Sequence, residues 1–154
     1  MGILNIKNME KTIEYPIIIC DNSPFIKVNC NKEDIWFMID SGCQGCVLDI
    51  NYVSVPLEQL KEETLTGVGE NSNKGYEVLM SFSIGNEDFY CSSTALDLGT
   101  TFDKFTKRIR KIVGLLGGEF LYNYKMILDY KTSTLKALKE DIDAYNDIIL
   151  KKPV

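Results

Sequence analysis

Between Trp36 and Asp49 the chain reads WFMIDSGCQGCVLD: an apolar run ends in Asp40, and Ser41, Gly42, Cys43 and Cys46 follow at once. An unpaired charge is costly to bury, so a strand that delivers a carboxylate has one of two explanations. Asp40 either accepts turn N–H groups at an ordinary strand end, or it is a reactive group that the strand holds in place. The chemistry open to it is narrow, because the 154 residues include no histidine. Ser-His-Asp and Cys-His hydrolysis, His-ligated zinc and histidine general-base catalysis are excluded within the chain. Carboxylates, thiols, lysines and tyrosines remain.

The competing motif is CQGC, Cys43 to Cys46. C-x-x-C serves as a redox pair or as half of a zinc site. A redox pair wants its first cysteine at the start of a helix that follows a strand, and the sequence VLDINYV that comes next reads as strand. An all-cysteine zinc site needs a second close pair, whereas Cys20, Cys30 and Cys91 stand singly. A thiol-redox function of Cys43 and Cys46 is the lesser alternative.

The elements that must position Asp40 read as strands. TIEYPIIIC, PFIKVNC and IWFMID are rich in β-branched and aromatic residues and are separated by short polar turn clusters. Strands so close in sequence imply antiparallel hairpins. SVPLEQLKEE, with Ser54 as cap, Pro56 early and Leu57 and Leu60 on one face, predicts a short helix. Gly67, Gly69, Gly75 and the polar run from Glu70 to Lys74 predict a hairpin tip, followed by a long strand in YEVLMSFSI, a turn at GNED and a strand in FYCSSTAL. TTFDKFTKRIRK fits a helix or a loop. IVGLLGGEFLYNYKMILDYKTSTLKAL predicts a short strand, a glycine turn, one helical turn and a last hairpin around KTST. In the tail, 139–154, Ile142, Tyr145 and Ile149 have helical spacing, which fits a helix packed on the sheet or on a second subunit, or else a frayed end.

Length and composition bound the rest. The chain is the size of one domain, 45% hydrophobic and 25% charged, so a packed core is expected without staples. Seventeen basic against 22 acidic residues give a net charge of −5, which opposes the field that nucleic-acid binding needs. The basic run KFTKRIRK, Lys104 to Lys111, reads as a solvated face or loop, with contact to an anionic surface as the sharper alternative. The first residues lack the pattern of a secretory signal, and no apolar stretch nears the roughly 20 residues of a membrane span. The sequence therefore reads as cytoplasmic, with no membrane partner and with its five cysteines as reduced thiols. About eight strands, one or two short helices and glycine-rich turns predict a mainly β, small closed barrel, one domain over 1–154 with its core about 13–138.

In that frame the segment FMIDSG resembles the D-[ST]-G motif of retropepsin-like, single-domain aspartic proteases. Three further features follow in the family's order. TLTGVGENSNKGYEV stands where the family has its flap, a glycine-tipped hairpin over the substrate. IVGLLGGEFL is similar to the second family signature, here Leu115, Leu116 and Gly117, followed by a short helix. MILDYKTSTLKAL resembles the family's closing hairpin. The resemblance spans roughly Ile13 to Leu138. The chain departs from the pattern after the motif, where Cys43 and Gln44 stand in place of Ala and a hydroxyl residue.

The resemblance implies an aspartic endopeptidase with Asp40 as the catalytic residue, Ser41 and Gly42 supporting its loop, and Val68, Gly69 and Tyr76 as flap or substrate contacts. No metal or organic cofactor is implied. One carboxylate cannot run this chemistry: two must lie close enough to share a proton, one acting as base on water and the other as acid. Asp97, Asp49 and Asp129 lack the following motif. The expectation is therefore a twofold homodimer with Asp40 of each subunit at the axis, cutting peptide or protein substrates at acid-to-neutral pH. The rival from another class is a noncatalytic binding or dimerisation module, which the Gln44 departure motivates.

Overall fold

The computed structural model describes residues 11–53, 56–64 and 74–151. Eleven strands and two α-helices follow in chain order among these residues: β1 Thr12–Pro16, β2 Ile18–Cys20, β3 Ser23–Cys30, β4 Glu33–Asp40, β5 Cys46–Asp49, β6 Glu62–Thr64, β7 Lys74–Ile84, β8 Glu87–Leu96, β9 Ile112–Gly117, α1 Gly118–Asn123, β10 Ile127–Asp129, β11 Thr134–Leu138 and α2 Lys139–Lys151. The fold is mainly β, as the sequence predicts.

Tight turns set the early register. β2 and β3 are joined through Asp21 and Asn22, β3 and β4 through Asn31 and Lys32, and all four residues have positive φ. That is the two-residue hairpin geometry whose twist matches the flanking strands. The larger sheet then runs β2-β3-β4-β9-β5-β8-β7-β6, and β7 returns to β3 at Asn29 and Ser83, so the strands from β3 to β7 form a ring. Two pairings are parallel, β4 with β9 and β5 with β8. A second sheet, β1-β11-β10, joins the two ends of the described chain.

Strand β4 shows why the ring has two cores. Ile35, Phe37 and Ile39 alternate with Trp36, Met38 and Asp40, so the two sets point to opposite faces. The first set enters the main core with Phe82, Phe89, Phe120 and Tyr124. Phe89 meets the Tyr124 ring edge-on at 5.0 Å, and Phe82 and Phe120 lie within 6.0 Å of it. Trp36 and Met38 pack instead on a smaller cluster of Cys20, Phe25, Leu96, Leu98, Phe102, Phe105 and Ile109. Three of those residues belong to the segment left open between helix and loop, which is an irregular loop with one 3-10 turn at Asp103–Phe105.

Some local readings are corrected. TIEYPIIIC is two strands, because the chain turns a corner at Ile17, whose N–H donates to the Ser133 carbonyl at 3.0 Å; β1 pairs with β11 and β2 with β3. The helix expected over 54–63 is reduced to a 3-10 turn at Leu57–Gln59, since Glu62 and Glu63 pair with Tyr76 and Gly75 in the sheet; its cap, Ser54, lies outside the described residues. Lys74, expected at a hairpin tip, is already in strand β7. The strand read in VLDINYV stops at Asp49, which caps a 3-10 turn over Ile50–Tyr52. The tail is a helix on the sheet: Ile142 is fully buried, and Tyr145 stacks edge-on against Tyr124 at 4.8 Å. The Tyr124 hydroxyl donates to Asn146 at 2.6 Å and accepts the Tyr90 N–H at 2.9 Å, tying α2 to β8.

Among the described residues, the buried Tyr15 hydroxyl finds no hydrogen-bond partner. Burial, and then the Glu87 carboxylate, push its pKa up to about 12. A phenol held above its ordinary value near 10 keeps its proton in the folded state after the unfolded chain has lost it. Its contribution to stability is full below about pH 10 and is lost as pH rises through about 12. Tyr15→Phe should leave stability at pH 7 unchanged or raise it by about 1 kcal/mol, since an orphan hydroxyl is removed. The same variant should lose less stability than wild type between pH 10 and 12 in urea melts; a clear loss at pH 7 would show a hidden partner.

Candidate active site

Asp40 ends β4 beside Gly117, the last residue of the parallel strand β9. Its carboxylate is partly exposed, and Oδ1 accepts the Gly42 N–H at 3.1 Å while its carbonyl accepts the Cys43 N–H at 3.1 Å. These bonds fold Ser41 to Gly45 into a compact loop. Ser41, Gly42 and Gln44 are exposed, and the Ser41 hydroxyl has no partner among the described residues. The strand-end reading of Asp40 is thus satisfied in part, yet among the described residues only one carboxylate oxygen is engaged.

The second signature grips that loop. Gly118 N–H donates to the Cys43 carbonyl at 2.6 Å and Glu119 N–H to the Gln44 carbonyl at 2.8 Å. The free N–H groups at the start of α1 are thereby met by the Asp40 loop. A Cβ on Gly117 would overlap the Gly45 carbonyl oxygen and lie 2.6 Å from that of Cys43, and one on Gly118 would lie 3.1 Å from the Ser41 carbonyl oxygen. Gly117 has φ of −89°, so the requirement is close approach rather than an unusual backbone angle. Leu115, Leu116 and Gly117, expected in a turn, lie on strand β9, with α1 following directly. Leu116 is buried in the main core while Leu115 is half-buried on the face that carries Asp40.

The remaining candidates divide. Tyr76 is half-buried on β7, opposite Ala95 and Glu62, at the root of the hairpin. Gly67, Val68, Gly69 and the polar run 70–73 lie outside the described residues. Asp97 caps its own turn, accepting the Gly99 N–H at 2.9 Å, and Asp129 is held below the usual carboxylate range by Lys136, 3.0 Å away. The residues that sequence reasoning missed are Gly45 and Gly114; Gly114 seats against the Val47 backbone as Gly117 does against Gly45. A clustering of glycines around β9 was the signal, but what each would touch was not readable.

The cysteines are all free thiols. Cys43 donates to the Gly45 carbonyl at 3.3 Å, and burial, then the Asp40 charge, push its pKa up. Cys46 and Cys91 are buried; the hydrogen bond with Cys46, and then burial, push the Cys91 thiol well up. No group of three or more metal-binding side chains occurs among the described residues, and no helix there is long and apolar enough to cross a membrane. A cleft of about 770 Å³ between β1, Trp36 and the β7–β8 turn stands apart from Asp40.

Two outcomes check this geometry. Gly117→Ala must push the loop carbonyls aside and should cost about 2–3 kcal/mol in chemical denaturation; a neutral effect would mean that loop and strand are not clamped. A Cys43 thiol held above its ordinary value is mostly protonated at pH 7, so iodoacetamide should label it more slowly than a free cysteine, catching up as pH rises. Mass mapping of the alkylated protein reads this directly.

No family model matches the chain, and no curated protein does. Solved structures do. A retropepsin-like aspartic protease from Rickettsia conorii superposes with a TM-score of 0.56 at 22% identity, covering 84% of this chain and 93% of that one. The retroviral protease-like domain of Ddi1 from Leishmania major superposes with a TM-score of 0.54 at 11% identity, covering 72% and 84%. Strand order, the parallel pair that carries Asp40 and Gly117, and these superpositions lead to one structural conclusion: the chain has a retropepsin-like fold.

Proposed function

We propose that the protein is an aspartic endopeptidase, active as a homodimer in which Asp40 of each subunit meets its partner's Asp40 across a twofold axis. The observation that carries this reading is the clamped loop at the end of β4: a partly exposed carboxylate, fixed in place and backed by glycines, on a retropepsin-like fold. Two such carboxylates share one proton, because repulsion prevents both from ionising. The ionised one takes a proton from water as its oxygen attacks the peptide carbonyl carbon. The protonated one gives its proton to the carbonyl oxygen. Collapse of the resulting diol, with a proton passed to the amine, breaks the C–N bond and restores the dyad.

The exposure of Ser41 and Gly42 supports the dimer reading, since it leaves the Asp40 loop open to the approach of a second loop. So does Tyr122 on α1, 81% exposed although large and apolar, three residues beyond Glu119, whose N–H holds the loop. Ser41 would find its missing partner across the axis. The Gln44 departure weighs little for the noncatalytic reading, because the residue takes part in the clamp through its backbone carbonyl and leaves its side chain exposed. Substrate would lie extended across the site, recognised by main-chain bonds and side-chain pockets.

The test is a peptide-library digest by wild type and Asp40→Asn, read by mass spectrometry across pH. Wild type should cleave and the variant should be slower by about a thousandfold or more, with both giving the same sedimentation profile as dimers. The rate should fall as pH rises past loss of the dyad's last proton. A rate climbing steadily into alkaline pH, or a monomer at high micromolar concentration with peptide present, would overturn the mechanism.

A further inference from the structure

The loop 97–111 between β8 and β9 carries Lys104, Lys107, Arg108, Arg110 and Lys111, five of the chain's 17 basic residues in eight consecutive positions of an acidic protein. All five are exposed. Lys111 pairs with Glu33, while the other four have no ion-pair partner among the described residues. The loop's own acids, Asp97 and Asp103, are outnumbered. Lone surface cations are ordinary, but these stand on a built support: Phe102, Phe105 and Ile109 are buried beneath them, and Lys104 sits over the Phe105 ring at 4.8 Å.

The position of that support gives the charge a use. The loop's buried residues belong, with Cys20, Phe25 and Leu96, to a cluster against which Trp36, Met38, Val47, Ile112 and Leu115 pack. Met38 pairs with Leu115, and Leu115 with Val47, so these three form a row across β4, β9 and β5. Met38 lies two residues before Asp40 on the same face of β4, about 7 Å along the strand. The loop therefore belongs to the cluster seated on the face of β4 that carries Asp40, and under the endopeptidase reading an extended substrate crossing Asp40 would run beside it.

We propose that the loop 97–111 selects substrate segments bearing acidic side chains, through Lys104, Lys107, Arg108 and Arg110. This rests on the endopeptidase reading and names its substrate class. An extended peptide advances about 3.3 Å per residue, so side chains a few positions from the scissile bond come alongside the loop. A twofold dimer carries one loop on each flank, and the preference therefore extends to both sides of the bond. With the rest of the surface negative, the loop supplies the attraction and the remainder discourages acidic chains from binding elsewhere.

The experiment uses one fluorescent peptide with Asp and Glu on both flanks and its Asn and Gln isostere. Binding to the full-length Asp40→Asn protein is followed by anisotropy, so no turnover is needed. The acidic peptide should bind about tenfold more tightly at low salt, the effect of one or two partly screened ion pairs. The gap should close in 0.5 M NaCl and in the combined variant Lys104→Gln, Lys107→Gln, Arg108→Gln, Arg110→Gln, all at exposed positions. With wild type the same preference should appear in KM rather than in kcat. Equal affinity for the two peptides, a gap that survives the combined variant, no binding of either, or tighter binding of an oligonucleotide of equal charge would overturn the proposal. Cleavage by wild type but not by Asp40→Asn remains an independent readout, so acidic selectivity can fail while the protease reading stands.

Discussion

The structure turns on the contact between the Asp40 loop and the start of α1. Gly117 must lie against the carbonyls of Cys43 and Gly45, at a distance that no side chain allows. Only then do the Gly118 and Glu119 N–H groups reach the Cys43 and Gln44 carbonyls. Each partner has polar backbone groups that an isolated loop or helix end would leave to solvent, and each satisfies the other. Packing of β4 beside β9 follows from this contact, because Asp40 and Gly117 close the parallel pair at its end.

From that parallel pair comes the division of the molecule into two apolar layers. The face of β4 bearing Phe37 builds the aromatic core that fixes the strand rigidly. The opposite face carries Trp36, Met38 and, at its open end, Asp40. A carboxylate at this place avoids the cost of full burial while its backbone stays as firmly held as the core. The long loop after β8 covers the apolar part of that face and stops short of covering Asp40, which stays partly exposed. Rigid positioning and access are thus obtained from the two sides of one strand.

The first and last elements of the described residues are tied separately. β1 pairs with β11 over five residues, and α2 docks through Ile142, Tyr145 and the Tyr124–Asn146 hydrogen bond. These contacts keep the smaller sheet in place without touching the loop of Asp40. The surface ion pairs along it, such as Lys136 with Glu14 and Asp129, add little by themselves in solvent.

Much of the local geometry of the candidate site was legible in the amino-acid order. An apolar strand ending in Asp40-Ser41-Gly42, and Leu115-Leu116-Gly117 ahead of a short helix, are local patterns of residue type, and local patterns survive in sequence. The same holds for the hairpins at Asp21-Asn22 and Asn31-Lys32, whose turn residues are adjacent. What failed depended on partners far along the chain. SVPLEQLKEE has helical spacing, yet Glu62 and Glu63 are strand because β7 offers them backbone partners. TIEYPIIIC has one uninterrupted β pattern, yet its halves belong to different sheets because β11 and β3 compete for them. The basic run at Lys104 was visible as charge; that it stands on the Asp40 face was decided by Phe102, Phe105 and Ile109 joining the cluster on which Met38 and Leu115 pack. Sequence alone determined which side chains could do chemistry and which strand presents them. Tertiary structure decided which backbones lie close enough to hold them, because such contacts join residues that no local pattern connects.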